Sequence, residues 1–324
     1  MTHLPLARRH LLRGALALAA AGPVLAQGTR RAIRLVVPFP AGTPDDLTAC
    51  LVAEPWAALL GQPVTVENRA GAGGVTGAEA VARAAPDGLT LLWAQGATHG
   101  ANSTLRRHLP YDPLADFAPV GLVGSAPLLL LGRPGLDAAD LDALVALAQA
   151  QPGRLSLGTG GIGTPPHLAA ALFARHTGGA WTVVPYGGNA PAVSDLLAGR
   201  IDLLFEAIPV ALPLLRQGRA RAYAVTGTAP LPLLPEVPPA QATLGHFRVA
   251  SWGGVAAPAG TAPEILERLS HALLALEGFP PLKARMAELG ATLHPTDPAV
   301  MRATVIAELA RWREVFEDAG VIAD

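Results

Sequence analysis

The sequence predicts an α/β fold made of two lobes. Two stretches far apart in the chain, residues 35–46 and 155–167, share one pattern: a short apolar strand, a glycine-containing turn and a Thr-Pro pair that opens a helix. Strand and helix patterns also alternate along the chain, which favours a largely parallel sheet covered by helices. Two units of the same build indicate two lobes.

The first predicted elements follow in regular order. An apolar run over residues 32–38 predicts a buried strand, and residues 44–60 predict a helix. Thr43 is a favoured N-cap, Pro44 suits the first helical position, and Gly61 suits the end. We further expect a strand over 64–67, a flexible glycine loop over 71–77, a helix over 78–84 and a strand over 89–94.

The rest of the chain continues the alternation. The predicted strands are 120–131, 182–186, 201–205, 222–226 and 249–257. The predicted helices are 136–150, 165–176, 190–197, one opened by Thr261-Ala262-Pro263, 282–289 and 299–319. A turn-rich link over 109–119 and a Pro-rich connection over 230–239 join them. We expect Trp312 to pack on the core. Lobe one then comprises residues 27–127 and 250–324, and lobe two residues 128–249, with two crossovers as the hinge.

Composition excludes several classes of protein. The 324 residues are 51% hydrophobic and 15% charged, which argues against extended disorder. The formal net charge of −1 gives no electrostatic footprint for nucleic acid. Cys50 is the only cysteine, so the chain forms no internal disulfide and no cysteine-based metal site, and we expect its thiol in the core. The histidines show no metal-ligand spacing, so no metal and no cofactor is predicted.

The N-terminus predicts export. Arg8, Arg9 and Arg13 precede an apolar run over residues 15–25 that ends in Val-Leu-Ala, which is typical of a signal peptide spanning residues 1–26. Arg8-Arg9 also resembles a twin-arginine signal. A membrane anchor is the alternative, but the run is short and Gly22-Pro23 breaks it. We therefore expect a mature periplasmic protein, working as a monomer.

The two glycine turns predict anion binding. A helix that begins after such a turn presents backbone N–H groups and the positive end of its dipole. Neither turn contains Lys or Arg. We call these two turns with their helix starts, within residues 35–46 and 155–167, the two cradles. Two cradles without a cationic side chain, one on each lobe, suggest that the lobes close on one small carboxylate.

Asp46, His167 and Glu206 each have two interpretations. Asp45 and Asp46 lie in a first helical turn, where complementing the dipole accounts for at least one of them, while Asp46 is alternatively placed at the cleft. His167, near a helix start, is expected to be neutral and serves either a ligand or a structural carbonyl. Glu206 ends an apolar strand, as an ordinary strand-end acid or as a cleft residue.

Gly158–Gly163 also satisfies G-x-G-x-x-G after a strand, the pattern of dinucleotide sites. No acid ends the next strand to hold a ribose, and Thr164-Pro165 places the helix start after the third glycine. An exported oxidoreductase that uses this turn stays an alternative function. A periplasmic sensor for a membrane signalling partner is a second alternative. No catalytic constellation is predicted, and no enzyme activity.

Several stretches in order resemble one family, the tripartite tricarboxylate transporter receptors, or Bug-type periplasmic solute-binding proteins. They are residues 37–42 with Asp46, 66–74, 86–90, 109–113 with Asp116 and Phe117, 158–167, 184–186 with Gly188, and 258–261. The resemblance covers essentially the whole mature chain. It implies a two-lobed, flytrap-like binding protein with two hinge crossovers, and a carboxylate delivered to small and large membrane subunits.

The resemblance also implies a set of ligand-binding positions. The first-lobe wall comprises Phe39, Ala41, Gly42, Thr43 and Asp46, and the second comprises Thr159, Gly163, Thr164, His167 and Tyr186, with Glu206 where the family usually has Asp. Thr43 replaces a usual Gly, Cys50 a common Arg and Gly187 a common Lys. These departures affect ligand identity rather than the general role.

Overall fold

The fold is built on a mixed sheet of ten strands. The computed structural model describes residues 31–178 and 181–319. The predicted signal peptide, residues 1–26, lies outside the described residues. All elements below belong to the unit that begins at Ala32. The strands are β1 Ile33–Val37, β2 Val64–Asn68, β3 Thr90–Gln95, β4 Phe117–Gly132, β5 Ser156–Thr159, β6 Thr182–Pro185, β7 Leu203–Ala207, β8 Arg221–Val225, β9 Ala250–Pro258 and β10 Thr292–Leu293.

Helices cover the sheet between these strands. The α-helices of the described residues are α1 Pro44–Leu60, α2 Val75–Ala82, α3 Asn102–Leu105, α4 Leu141–Ala150, α5 Pro165–Thr177, α6 Asn189–Leu197, α7 Ile208–Arg216, α8 Gln241–Leu244, α9 Pro263–Leu274, α10 Pro280–Glu288 and α11 Pro298–Ala319. The predicted alternation of strands and helices is confirmed. Among the described helices, none combines the length and the apolar character needed to cross a bilayer.

The long strand β4 belongs to both ends of the sheet. Its residues from Phe117 to Pro127 pair with β9, and those from Leu128 to Gly132 pair with β7 and β8. The sheet order is β2-β1-β3-β9-β4-β7-β5-β6. We call β2, β1, β3, β9, β10 and the first part of β4 the first half-sheet, and the last part of β4 with β7, β8, β5 and β6 the second half-sheet.

Both faces of the sheet are buried at its central strands, which explains the continuous apolar runs of β3 and β4 in the sequence. In β3, Leu91 and Trp93 face one hydrophobic cluster, while Leu92 and Ala94 face another. In β4, Leu128 and Leu130 share one cluster, and Leu129 and Leu131 belong to a third group on the opposite face. This period of two is the geometry of a strand covered on both sides.

The C-terminal helix α11 packs along both half-sheets. Its residues Met301 and Val305 join the cluster around the first half-sheet, and Val315 and Phe316 join that of the second. Trp312 is buried, as predicted. The helix thus stabilises the relative placement of the two half-sheets through a continuous apolar stripe.

Some predicted details are wrong, each for a local reason. The helix expected over 136–150 begins at Leu141, because the Asp140 carboxylate accepts a 2.8 Å bond from the Ala143 N–H and caps the helix there. The N-cap of α9 is Ala262, because the Thr261 hydroxyl donates instead to the Pro258 carbonyl. Cys50 is exposed rather than in the core.

The glycine-rich loop over 71–77 is also more regular than predicted. A single 3₁₀ turn ends at Gly74, whose φ of 91° requires glycine, and α2 starts at Val75. Gly77 lies inside α2, where a Cβ would approach the Arg69 carbonyl to 2.8 Å. This glycine therefore permits the close packing of α2 on the neighbouring backbone.

Candidate functional site

A cleft of about 190 Å³ lies where the two half-sheets meet. Residues from both half-sheets line it: Phe39, Thr43, Pro44, Asp45, Leu47, Thr48, Trp93, Gln95, Ala97, Gly124, Ser125, Ala126, Pro127, Leu128, Thr164, Pro165, Pro166, Asn189, Ala207, Ile208, Pro209, Ser251, Trp252, Gly253, Met286, Leu289 and Ala291. The wall is mostly apolar, with hydroxyl and amide groups interspersed. Such a composition suits a small organic ligand with a few polar groups.

Four helices begin at this cleft. They are α1 at Pro44, α5 at Pro165, α6 at Asn189 and α7 at Ile208. Each brings the positive end of its dipole to the wall, and the described lining residues include no Lys, Arg or His. The cleft therefore attracts an anion through helix dipoles and not through cationic side chains.

The loop between β1 and α1 forms the first side of the cleft. Thr43 caps α1: its Oγ1 accepts from the Asp46 N–H at 3.5 Å and donates to the Pro40 carbonyl at 2.9 Å. Phe39 and Thr43 line the cleft, whereas Ala41 is exposed outside the lining. Pro44 at the first helical position lacks an N–H, so this cradle offers one donor fewer than an ordinary helix start.

Asp46 lies behind this loop and not in the cleft wall. Its buried carboxylate accepts from the Gly42 N–H at 2.7 Å and from Asn68 Nδ2 at 2.8 Å. The chain's own carboxylate thus occupies donors that the sequence assigned to a ligand. Asp46 shapes the loop, and the Gly42 amide is already engaged.

Asp45, one residue earlier, faces the cleft. Its Oδ1 accepts a 3.0 Å hydrogen bond from Trp93 Nε1 at the end of β3. Burial raises the pKa of the Asp45 carboxyl to about 6, partly offset by the Trp93 bond. Among the described residues that line the cleft, Asp45 is the only ionisable one.

The loop between β5 and α5 forms the opposite side. Thr164 lines the cleft, but its Oγ1 donates to the Gly161 carbonyl at 2.7 Å instead of capping α5. Pro165 and Pro166 occupy the first two helical positions and supply no N–H groups. The Gly163 N–H donates to His167 Nδ1 at 3.1 Å. The second cradle is therefore also poorer in free donors than its sequence suggests.

His167 lies behind this loop, as a buried ring. It stacks on Phe316 of α11 with ring centroids 4.9 Å apart. Burial lowers the pKa of His167 to about 4, so the ring is neutral, as the sequence suggested from the helix dipole. Because Nδ1 accepts a bond, the proton is on Nε2.

Glu206 acts on the cleft through a neighbour. Its buried Oε1 accepts from Asn189 Nδ2 at 2.6 Å and from the Ala207 N–H at 2.7 Å. Burial raises the pKa of Glu206 to about 7, partly offset by these two bonds. Asn189 lines the cleft, and its Oδ1 fills the space where a Cβ on Gly160 would lie. The bond to Glu206 holds the Asn189 amide at the wall, and the absence of a side chain at Gly160 leaves room for it.

Two further expected residues lie away from the lining. Thr159 is fully buried, and within the described part of the chain its hydroxyl has no hydrogen-bond partner. Tyr186 is half-buried and donates from its hydroxyl to Asp195 Oδ2 at 2.8 Å on α6. Of the eleven expected site residues, the cleft wall brings together Phe39, Thr43 and Thr164.

Several lining residues escaped the sequence analysis. Gln95 and Trp93 end β3, and Ser251 and Trp252 lie at the start of β9. The rule that ligands bind beyond the carboxyl ends of strands could have indicated the β3 pair. Ser251 and Trp252 have no local signal, because β9 is antiparallel to β3 and enters the site at its other end.

The dinucleotide alternative finds no support in this geometry. Asn189 Oδ1 lies 1.9 Å from the position of a Gly160 Cβ, so that side chain occupies the space next to the turn. Pro165 and Pro166 remove two of the N–H groups with which a helix start would hold a pyrophosphate.

Comparisons with known proteins agree on one family. Residues 48–321 match the model of the tripartite tricarboxylate transporter family receptor. "Protein BugT" of Bordetella pertussis is 38% identical over 294 residues, which cover 90% of each chain. Among solved structures, the periplasmic binding protein BugD superposes with a TM-score of 0.79 at 32% identity, over 91% of this chain and 99% of BugD.

Two similar structures contain a ligand. R. palustris Rpa4515 with adipate gives a TM-score of 0.82 at 34% identity, over 91% of this chain and 99% of its own. MatC of Rhodopseudomonas palustris with bound malate gives 0.77 at 35% identity, over 88% and 99%. The predicted α/β fold class of periplasmic binding proteins is confirmed. The chain belongs to the receptor family of the tripartite tricarboxylate transporters.

Proposed function

We propose that this protein captures a small organic carboxylate in the cleft and delivers it to the small and large membrane subunits of a tripartite transporter. The observation that carries the proposal is the convergence of four helix N-termini on one cleft without a cationic side chain. The structures that contain adipate and malate support a carboxylate as the ligand class. We propose binding without catalysis, since the family consists of receptors.

Capture involves closure of two lobes, residues 27–127 with 250–324, and residues 128–249. The change of β4 partners between Pro127 and Leu128 and the start of β9 at Ala250 support these boundaries. The cleft lies across this division, so a ligand that touches both walls favours the closed state. Small-angle scattering with and without a saturating concentration of the acid that binds tightest in the screen below tests closure: a smaller radius of gyration is expected, and an unchanged one contradicts it.

The mature protein acts in the periplasm as a monomer after removal of residues 1–26. Support comes from the Arg-rich start, the apolar run and the Val-Leu-Ala end of this segment. Mass spectrometry of the protein from a periplasmic fraction should find Gln27 as the first residue. Replacing Arg8 and Arg9 by Lys separates the routes, since only twin-arginine export should stop.

The central test is a thermal-shift and calorimetry screen of the mature chain against organic acids, including adipate, malate, succinate and citrate. A ligand at about 100 times its Kd stabilises the fold by about 2.7 kcal/mol, which raises Tm by several degrees. A Tm shift with NAD and none with any carboxylate would overturn the proposal. Cross-linking to the co-expressed membrane subunits distinguishes transport from the sensor alternative.

A further inference from the structure

We infer that Asp45 makes the cleft selective for ligands that carry one carboxylate and one ammonium group, against ligands with two carboxylates. This inference rests on the proposed function and specifies its ligand class. It starts from the chemistry of the wall: helix dipoles supply positive potential, and one side-chain carboxylate supplies negative charge.

The ionisable side chain in the cleft wall is acidic, and further acidic side chains lie behind the wall. Asp45 lies in the wall, Asp46 behind the first loop, and Glu206 behind Asn189. Glu308 of α11 faces Gly96, the residue that follows β3, and is paired with Arg311 of the same helix at 3.8 Å. The described lining contains no cation that could neutralise a second carboxylate.

Asp45 is positioned to receive a hydrogen-bond donor. Trp93 Nε1 holds its Oδ1 at 3.0 Å, and in the described residues Oδ2 has no protein donor. The phenyl ring of Phe39 and the indole of Trp93 line the same cleft, and aromatic faces stabilise cations. A ligand ammonium group at this position would form an ion pair with the Asp45 carboxylate. When closure removes water from the cleft, this ion pair replaces the lost hydration of Asp45.

The small volume makes the discrimination effective. The cleft volume of about 190 Å³ leaves little free space around a ligand of four to six carbons. When one end of such a ligand contacts the wall opposite α1, the other end lies close to Asp45. One carboxylate can use the dipoles of α5, α6 and α7, on the side of the cleft away from α1. A second carboxylate would then lie beside Asp45, where two like charges repel strongly because little water separates them.

The test compares ligands that differ only at one end. Adipate, 6-aminohexanoate and hexanoate form one series, and succinate, 4-aminobutyrate and butyrate form another. Calorimetry on the mature wild type should rank the amino acid first, the monocarboxylate second and the dicarboxylate last. We expect at least about a tenfold difference in Kd between the amino acid and the dicarboxylate in the better-fitting series.

The Asp45→Asn variant should remove this preference. Asn keeps a carbonyl oxygen for Trp93 Nε1, so the fold is retained, and Asp45→Ser serves as a second variant if it is not. The amino acid should lose about tenfold in affinity and the dicarboxylate should gain. Asp142→Asn is the matched control, because Asp142 occupies the same second helical position in α4 but is exposed and outside the cleft.

The outcomes separate the inference from the proposed function. A wild type that binds the dicarboxylate at least as tightly as the amino acid overturns the inference and leaves carboxylate binding standing. So does a ligand ranking that is the same in Asp45→Asn and wild type. If none of the six compounds and no other acid of the screen binds either protein, the proposed function fails, and this inference fails with it.

Discussion

Asp46 accepts a 2.7 Å hydrogen bond from the backbone N–H of Gly42, four residues earlier in the chain. The bond closes the turn between β1 and α1 on the protein's own carboxylate. Asn68 Nδ2, from the end of β2, donates to the other oxygen at 2.8 Å. The acid therefore ties the first loop of the cleft to the neighbouring strand.

Replacing Asp46 by Ala should destabilise the protein by about 1–3 kcal/mol, because the Gly42 N–H and the Asn68 amide lose a charged partner. Urea unfolding measures the change, and affinity for the best-binding acid should fall as Phe39 and Thr43 lose their support. Glu54→Ala is the control on the same helix, since its exposed side chain predicts a change within about 0.5 kcal/mol. Equal stability of the two variants would contradict the role of Asp46.

Local sequence patterns predicted the first loop well, but not which of its two acidic residues lies in the cleft wall. Thr43, Pro44 and the Gly61 stop define α1 by capping rules that act within a few residues. Successive helical residues point about 100° apart, so only one of Asp45 and Asp46 can face the cleft. Which one does depends on Trp93, which is 48 residues away and meets α1 only in the folded sheet.

The sequence also suggested more free backbone N–H donors at the helix starts than the structure has. Pro165 and Pro166 mark the start of α5 in the sequence because they lack the N–H that a helix start leaves unpaired. The same property removes donors that an anion would use. Glu206 shows the other limit, since its partner Asn189 is 17 residues away and no spacing rule joins them.

Gly160→Ala should weaken ligand binding and lower stability by about 1–3 kcal/mol, because moving the Asn189 amide also breaks its bond to the buried Glu206. A Cβ there would lie 1.9 Å from Asn189 Oδ1, so the amide must leave its position at the cleft wall. Loss of one oriented amide predicts about tenfold weaker binding by calorimetry. Gly187→Ala is the matched control nearby, because nothing lies within 4 Å of its Cβ position. Equal affinity of both variants would exclude Asn189 from the binding wall.

His167 predicts loss of stability in acid. Its folded pKa of about 4 lies below the ordinary histidine pKa of 6.5, so stability is lost as pH falls from 6.5 towards 4. The shift corresponds to a loss of up to about 3 kcal/mol. His167→Phe keeps a ring against Phe316 but leaves the Gly163 N–H unpaired, so it should be less stable at pH 7 and less sensitive to acid.

Urea unfolding at pH 4.5, 5.5 and 7 measures the difference between wild type and His167→Phe. That difference should shrink or reverse as the pH falls. His246→Phe changes an exposed ring in the same way and should follow the wild-type pH dependence. A wild-type curve parallel to that of His167→Phe would show that His167 has the same pKa in the folded and unfolded states.

Glu206 predicts the opposite slope. Its folded pKa of about 7 lies above the ordinary glutamate pKa of 4.5, so the folded state holds the proton more tightly than the unfolded chain. The contribution to stability is complete below pH 4.5 and is lost as pH rises to about 7, by up to about 3 kcal/mol.

Glu206→Gln stays neutral and keeps a carbonyl oxygen for Asn189 and the Ala207 N–H, so its advantage over wild type should grow between these pH values. Urea unfolding of both proteins across this range measures it, with exposed Glu264→Gln as the control. Parallel curves for wild type and Glu206→Gln would mean that Glu206 has the same pKa in the folded and unfolded states, so that its bonds to Asn189 and Ala207 fully offset its burial.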